Sequence, residues 1–200
     1  MVKLPHTLDD TIGPYFPACY VDKGHLDMRQ PYPSLVVSAK GQPIRVRVRM
    51  LDVNGGLASG CSLIDVWQAD ASGAMRRPGN QSSESSDAFF SGFGRVVSVD
   101  GTFSFDSVKP GSSVSGGASR APNITLNFFC DGFNRLVTQF FFADESDSNI
   151  HDPLLQSLPE PLRDRLLARR IDDEDGVACY QFDVVFRGEF ETPFFDDILS

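Results

Sequence analysis

The sequence is poor in the residues from which metal and nucleophile sites are usually built. It holds three histidines, His6, His25 and His151, and none stands in a motif. No tyrosine occurs between Tyr32 and Tyr180, and no histidine between His25 and His151. A metal site made from the three histidines and nearby carboxylates has no local chelate spacing to support it. The cysteines Cys19, Cys61, Cys130 and Cys179 form no Cys-x-x-Cys pair, which removes zinc-ribbon and thioredoxin-like spacings. Four scattered thiols in 200 residues fit a reduced, cytoplasmic protein better than a disulfide framework. There is no Gly-x-Ser-x-Gly, and the glycines of GSSVSGGAS are not followed by a helical pattern that could present a phosphate site. No run approaches the roughly 18 apolar residues of a membrane span, and MVKLPHTLDD has no apolar signal core. Positive charge is short too: 18 Lys and Arg stand against 27 Asp and Glu, for a formal net charge of -9. That balance argues against nucleic acid and anionic membranes as partners.

What is present reads as a soluble β protein. Residues 1–42 are rich in proline and turn residues and are expected to form an extended arm on a body spanning 43–200. IRVRVRM puts Ile44, Val46, Val48 and Met50 on one face of a strand and Arg45, Arg47 and Arg49 on the other. Asn54-Gly55-Gly56 is a turn, and SLIDVWQAD is apolar on both faces, as a central strand is. A long polar loop follows over 74–91. VVSVDGTFSF carries Asp100-Gly101 between two strand-like runs, which predicts a type I′ hairpin. KPGSSVSGGASR reads as another loop, and APNITLNFF, RLVTQFFF and YQFDVVF as strands. In the last, Tyr180, Phe182, Val184 and Phe186 share a face opposite Gln181, Asp183 and Val185. One short helix is expected from Pro159-Glu160-Pro161, with Leu162, Leu166 and Leu167 as its stripe and Arg163 and Arg165 outside. An exposed turn over 172–176 should close it. The pattern predicts an all-β, antiparallel β-sandwich with long loops, an N-terminal arm and one short helix in the C-terminal half. Seventeen phenylalanines point to an aromatic core or an adhesive interface.

Two stretches suggest more than scaffold. In APNITLNFF the period of two places Asn123, Thr125 and Asn127 together on one face, with Ile124, Leu126 and Phe128 on the other. Three polar side chains on a core-like strand face a cavity, a subunit or simply solvent. TIGPYFP sets Tyr15 and Phe16 between two prolines, where neither helix nor strand is favoured.

The order of motifs then carries a resemblance. GPY at Gly13–Tyr15, DVWQADASG at Asp65–Gly73, FGR at Phe93–Arg95, a DG turn leading to VKPG, APNITL, YQFDVVFRGE and a terminal FFDD resemble the intradiol ring-cleaving dioxygenases from about residue 9 to 197. The chain is most similar to the alpha-type subunits of the protocatechuate-cleaving members. The resemblance implies a β-sandwich with long active-site loops. In catalytic chains of that family, ferric iron is held by two tyrosinates and by two histidines at i and i+2 on one strand. The matching positions here are Ser82 and Ser113 for the tyrosines and Asn123 and Thr125 for the histidines. Arg120 stands three residues before the first histidine position, where the catalytic chains carry a charge-stabilising arginine. It reads as a remnant or as a partner for an acidic loop. Neutral amides and hydroxyls are weak donors to Fe(III).

The resemblance therefore implies a chain that binds no iron, carries no catalytic residue of its own, and pairs with a beta-type, iron-binding subunit. Thr11, Gly13, Pro14 and Tyr15 would wall the catechol pocket of that partner. Glycine there allows close backbone approach, and proline fixes the loop. Asp131 stands where the alpha-type chains carry an arginine for the substrate carboxylate, and Arg135 and Arg120 are candidates to take over that role. The implied reaction is cleavage of protocatechuate or a related catechol by O2 to a cis,cis-muconate. Phe194 and Phe195 are expected to help bury the subunit interface. The alternative is a β-sandwich scaffold or a homo-oligomer binding aromatic ligands, without enzymatic partnership.

Overall fold

The computed structural model describes residues 26–29, 39–58, 61–75, 87–130 and 133–195. Its strands are β1 (Leu26–Asp27), β2 (Pro43–Leu51), β3 (Cys61–Gln68), β4 (Phe93–Val97), β5 (Thr102–Val108), β6 (Ser113–Ser115), β7 (Ala118–Arg120), β8 (Asn123–Cys130) and β9 (Phe133–Phe142). Helices α1 (Ser146–Asn149), α2 (Pro153–Ser157) and α3 (Glu160–Arg163) follow, then β10 (Leu167–Glu174) and β11 (Val177–Val185). Nine strands form one mixed sheet in the order β1-β5-β2-β11-β10-β9-β8-β3-β4, and β6 and β7 form a separate hairpin.

The alternation of IRVRVRM is realised in β2. Ile44, Val46, Val48 and Met50 are fully buried. Arg45 reaches Asp106 and Glu174, Arg47 reaches Glu174, and Arg49 holds both oxygens of Asp183 on the outer face. The inner faces of β2, β5 and β11 on one side and of β3, β8 and β9 on the other line a single core, so the sheet curls into a nearly barrel-like wall. Phenylalanine fills it: Phe103, Phe105, Phe128, Phe140, Phe142 and Phe182 are buried, and Phe140 stacks on Phe182 at 5.0 Å between centroids. Burying each such ring contributes roughly 1.5–3 kcal/mol. A smaller cluster of Ala121, Phe141, Leu155 and Leu166 seats the helical segment on the outer face of β9.

Several sequence expectations change. The sheet is mixed rather than purely antiparallel, because β1–β5, β2–β11 and β9–β10 pair in parallel. Asp100 and Gly101 do adopt the positive φ values of a type I′ turn, 49° and 79°. Yet only Val99 and Thr102 pair beside it, since β4 joins β3 while β5 joins β2. The turn is a corner between the two halves of the sheet, not the tip of a hairpin. The expected loop at GSSVSGGAS contains the β6–β7 hairpin, turned by Gly116 and Gly117 at φ 57° and 81°. The single expected helix is three short ones. Leu167 leaves it to begin β10, and residues 172–174 belong to that strand, so the turn is only Asp175-Gly176. Phe194 stacks on Phe186 at 5.8 Å and Phe195 packs on the helical cluster, and both stay partly exposed.

Candidate functional site

One end of the sheet gathers several of the motifs quoted from the sequence, and hydrogen bonds and ion pairs fix their positions. Asp70, at the end of β3, is 4% exposed. Its Oδ1 accepts from the Ser72 amide at 2.8 Å, the Ser72 hydroxyl at 2.6 Å and the Ala74 amide at 3.0 Å; its Oδ2 accepts from the Asp87 amide at 2.8 Å. Burial disfavours the charge, but these donors outweigh it and hold the Asp70 carboxyl below the usual carboxylate range. The DASG and KPG segments touch through glycines. A Cβ on Gly73, which sits at φ +85°, would lie 1.9 Å from the Ser112 carbonyl oxygen; one on Gly111 would lie 2.5 Å from the Ala71 carbonyl oxygen.

Lys109 anchors the same end to the helical segment. Its ammonium donates to Asp144 at 3.0 Å, pairs with Glu145 at 2.6 Å, and lies 5.3 Å from the Phe142 ring centroid. Burial opposes this charge, and the two carboxylates more than offset it, so the Lys109 pKa is raised. The Tyr180 hydroxyl donates to Asp144 at 2.8 Å. Burial, then that bond, push the tyrosine pKa up. The Asp144 carboxyl is opposed by burial but held low by Tyr180 and Lys109.

Between these anchors lies the outer face of β8. Asn123 donates its side-chain amide to the Ala121 carbonyl at 2.7 Å. Thr125, 6% exposed, stands opposite Gln139 on β9, and its hydroxyl oxygen accepts from the Gln139 amide at 2.8 Å. The Gln139 carbonyl oxygen accepts from Arg120 Nη2 at 2.8 Å. Arg120 Nε donates to Asp152 Oδ2 at 2.8 Å, and its guanidinium lies 5.9 Å from the Phe141 centroid. Asp152 is fully buried and accepts four bonds: Oδ2 also from the Ala121 amide at 2.9 Å, and Oδ1 from the Leu154 and Leu155 amides at 2.9 and 3.2 Å. It thereby caps α2. The result is a closed chain, Thr125–Gln139–Arg120–Asp152. Ser113 sits opposite Arg120 in the β6–β7 hairpin.

This donor set does not fit a ferric ion. Asn123 offers only a neutral amide oxygen, its NH2 being held by the Ala121 carbonyl, and Thr125 is a neutral hydroxyl already hydrogen-bonded to Gln139, so neither supplies the imidazole nitrogen or anionic oxygen that Fe(III) favours. Among the described residues no group of three His, Cys, Asp or Glu is arranged to hold a metal. Asn127, the third polar residue of the face, has its Oδ1 buried without a donor among the described residues.

Of the expected site residues, the structure thus brings Arg120, Asn123 and Thr125 together, with Ser113 across the hairpin. Ser82, Thr11, Gly13, Pro14, Tyr15 and Asp131 lie outside the described residues, as does the side chain of Arg135. The strands around Asp131 are nonetheless placed: Cys130 pairs with Phe133 at one end of β8, and Asn123 with Phe141 at the other. Seven residues at about 3.4 Å each separate those ends by about 24 Å. Gln139 and Asp152 are the members that sequence reasoning missed. Gln139 interrupts the apolar run of RLVTQFFF, and Asp152-Pro153 has the form of a helix cap with proline at the first position; either pattern was a usable signal.

Known proteins share this arrangement of segments. A family model described as Dioxygenase matches residues 13–188. The chain is 34% identical over 162 residues to the protocatechuate 3,4-dioxygenase alpha chain of Pseudomonas putida, covering 79% of this chain and 78% of that one. It is 35% identical over 207 residues to the protocatechuate 3,4-dioxygenase beta chain of Burkholderia cepacia, covering 96% and 84%. Catechol 1,2-dioxygenase from Pseudomonas arvilla C-1 shares the fold, with a TM-score of 0.59 at 18% identity over 81% of this chain and 55% of that one. The order of motifs, the curled sheet and the matched span agree: this chain belongs to the intradiol ring-cleavage dioxygenase family.

Proposed function

We propose that this chain is an alpha-type, non-iron-binding subunit of a hetero-oligomeric Fe(III) intradiol dioxygenase. The observation that carries this reading is the hydrogen bonding of the two strand positions matched to histidine ligands: Thr125 belongs to the chain Thr125–Gln139–Arg120–Asp152, and Asn123 is tied to the Ala121 carbonyl. The absence of tyrosine between Tyr32 and Tyr180 supports it, because no shift of alignment supplies a tyrosinate from that span. The existence of both alpha and beta chains among the relatives supports a partner of the same family. That partner would hold the iron and supply the activation of a bound catechol toward O2. The reaction is cleavage between the two hydroxyl-bearing carbons of protocatechuate or a related catechol, giving a cis,cis-muconate in aromatic catabolism in the cytoplasm.

This chain's contribution is to shape the pocket. Thr11, Gly13, Pro14 and Tyr15 wall it, and Asp131 and Arg135 face the ring substituent. Asp131 disfavours a carboxylate there, so a neutral catechol competes with protocatechuate. Among the described residues no helix is long and apolar enough to cross a membrane.

Co-expression with a beta-type chain tests the reading. The complex should consume O2 with a catechol and hold one iron per beta-type chain. This chain purified alone should be colourless and inactive. A red-brown isolated chain with stoichiometric iron overturns the proposal.

A further inference from the structure

The outer face of β10 and β11 carries a cleft of about 430 Å³ that the family reading does not use. Residues of β10 and β11 line it, with apolar Leu167 and Val185 beside polar Gln181 and Asp183, together with the turn at Asp164–Leu166 and the segment at Phe190–Thr192. The volume lies in the range of small-molecule sites. Its electrostatics are uneven. The Asp183 carboxylate is already matched, since Arg49 donates to both of its oxygens at 2.8 and 2.7 Å. Arg169 is therefore a surplus cation. It stands 3.7 Å from Asp183, beyond hydrogen-bond distance, and makes no hydrogen bond among the described residues. Arg165, in contrast, is held: it donates to the Glu191 carbonyl at 3.1 Å and lies 5.8 Å from the Phe190 centroid. Phe190 is 67% exposed, the only phenylalanine among the exposed large apolar side chains of the described residues. Asp164 adds one negative charge at the rim.

We propose that this cleft binds a small aromatic monocarboxylate, with the carboxylate on the Arg169 guanidinium and the ring against Phe190 and over Leu167 and Val185. An arginine fork with all donors available suits a planar carboxylate, which it can engage through two parallel bonds. The exposed phenyl ring gains a partner for offset or edge stacking. The Asp183–Arg49 pair keeps the cleft from repelling the anion.

Calorimetric titration of the purified protein with benzoate tests this, with benzamide, acetate and benzylamine as probes that remove the charge, remove the ring or reverse the charge. Benzoate should bind one site per copy of this chain, at least about tenfold tighter than benzamide or acetate and with affinity falling as salt rises. Arg169→Gln and Phe190→Ala should each weaken that site about tenfold. Both residues are exposed, at 76% and 67%, so neither change threatens folding. Arg170→Gln, on the neighbouring exposed residue, should leave the site unchanged. Benzoate binding that Arg169→Gln does not weaken, a preference for benzylamine, or no benzoate site on this chain overturns the proposal. None of these outcomes depends on whether a beta-type partner carries the iron.

Discussion

Replacing Asp152 by asparagine should be among the most damaging single-atom changes available to this chain. The carboxylate is fully buried, and each oxygen accepts two donors: Arg120 and the Ala121 amide on one, the Leu154 and Leu155 amides on the other. An amide has one acceptor oxygen. Either orientation turns an NH2 group toward two donors, and the guanidinium of Arg120, 13% exposed, loses its counter-charge. Breaking a buried pair from one side costs about 3–5 kcal/mol, and the orphaned donors contribute within that figure rather than adding to it. Arg120→Met should cost less, about 1–3 kcal/mol, because Asp152 keeps three backbone donors. The double variant should fall short of the sum by at least about 1 kcal/mol, since the two residues share one interaction. Urea unfolding at fixed protein concentration reads all three. With a slope near 2 kcal/mol per molar, the midpoint for Asp152→Asn should drop by about 1.5–2.5 M. A drop below about 0.5 M, or a larger loss in Arg120→Met, would refute the claim that this network closes the ligand face.

Gly73→Ala should destabilise the chain by about 2 kcal/mol or more, because φ is +85° and the added methyl meets the Ser112 carbonyl oxygen at 1.9 Å; the same urea curves measure it. Stability should fall in acid. Asp70 and Asp144 are held below their usual pKa, so their contribution is complete above the unfolded value near 3.9 and is lost as pH falls through the folded ones. Lys109, held high, contributes fully below about 10.4 and loses that contribution as pH rises through its folded value; Lys109→Met should flatten the alkaline limb of a stability–pH profile. In the complex with a beta-type chain, Asp131→Arg should raise kcat/KM for protocatechuate relative to unsubstituted catechol by about tenfold or more, read by oxygen uptake; an unchanged ratio sinks the assignment of Asp131 to carboxylate recognition.

The parts of the fold legible in the sequence were those written in local periodicity. The four inward residues of β2, the Ile124–Leu126–Phe128 face of β8 and the Tyr180–Phe182–Val184 face of β11 all follow from a repeat of two. β10 did not declare itself. Only Ala168 in LARRIDDE is buried, because the strand joins β9 at just two residues and otherwise stands with its charged side chains in solvent. A charged, half-paired strand has no alternation to read. The parallel pairing of β2 with β11 was equally hidden. It joins residues 44–51 to 178–185, and no local signal spans such a separation. At the site, the substitutions at Asn123 and Thr125 were plain, but their meaning depended on Gln139 and Asp152. Gln139 reaches Thr125 through cross-strand register, and Asp152 reaches Arg120 from a helix cap about thirty residues on.

That register also bears on how one chain could serve another's chemistry. Asn123 and Thr125 sit at the start of β8, with Arg120 at the end of β7 just before it, and the residues on either side of Asp131 sit at the far end of β8, about 24 Å from Asn123 by strand rise. A catechol is far shorter than this. Under the proposed function, recognition near the far end of β8 and chemistry on the Asn123 face are therefore alternatives for one polypeptide, and a chain that serves the first would find its reacting centre in a neighbour. Asn123 and Thr125 lie on the outer face of β8, while the inner face of the same strand, Ile124, Leu126 and Phe128, carries the core, so residues at the two outer positions can differ without disturbing the packing beneath them.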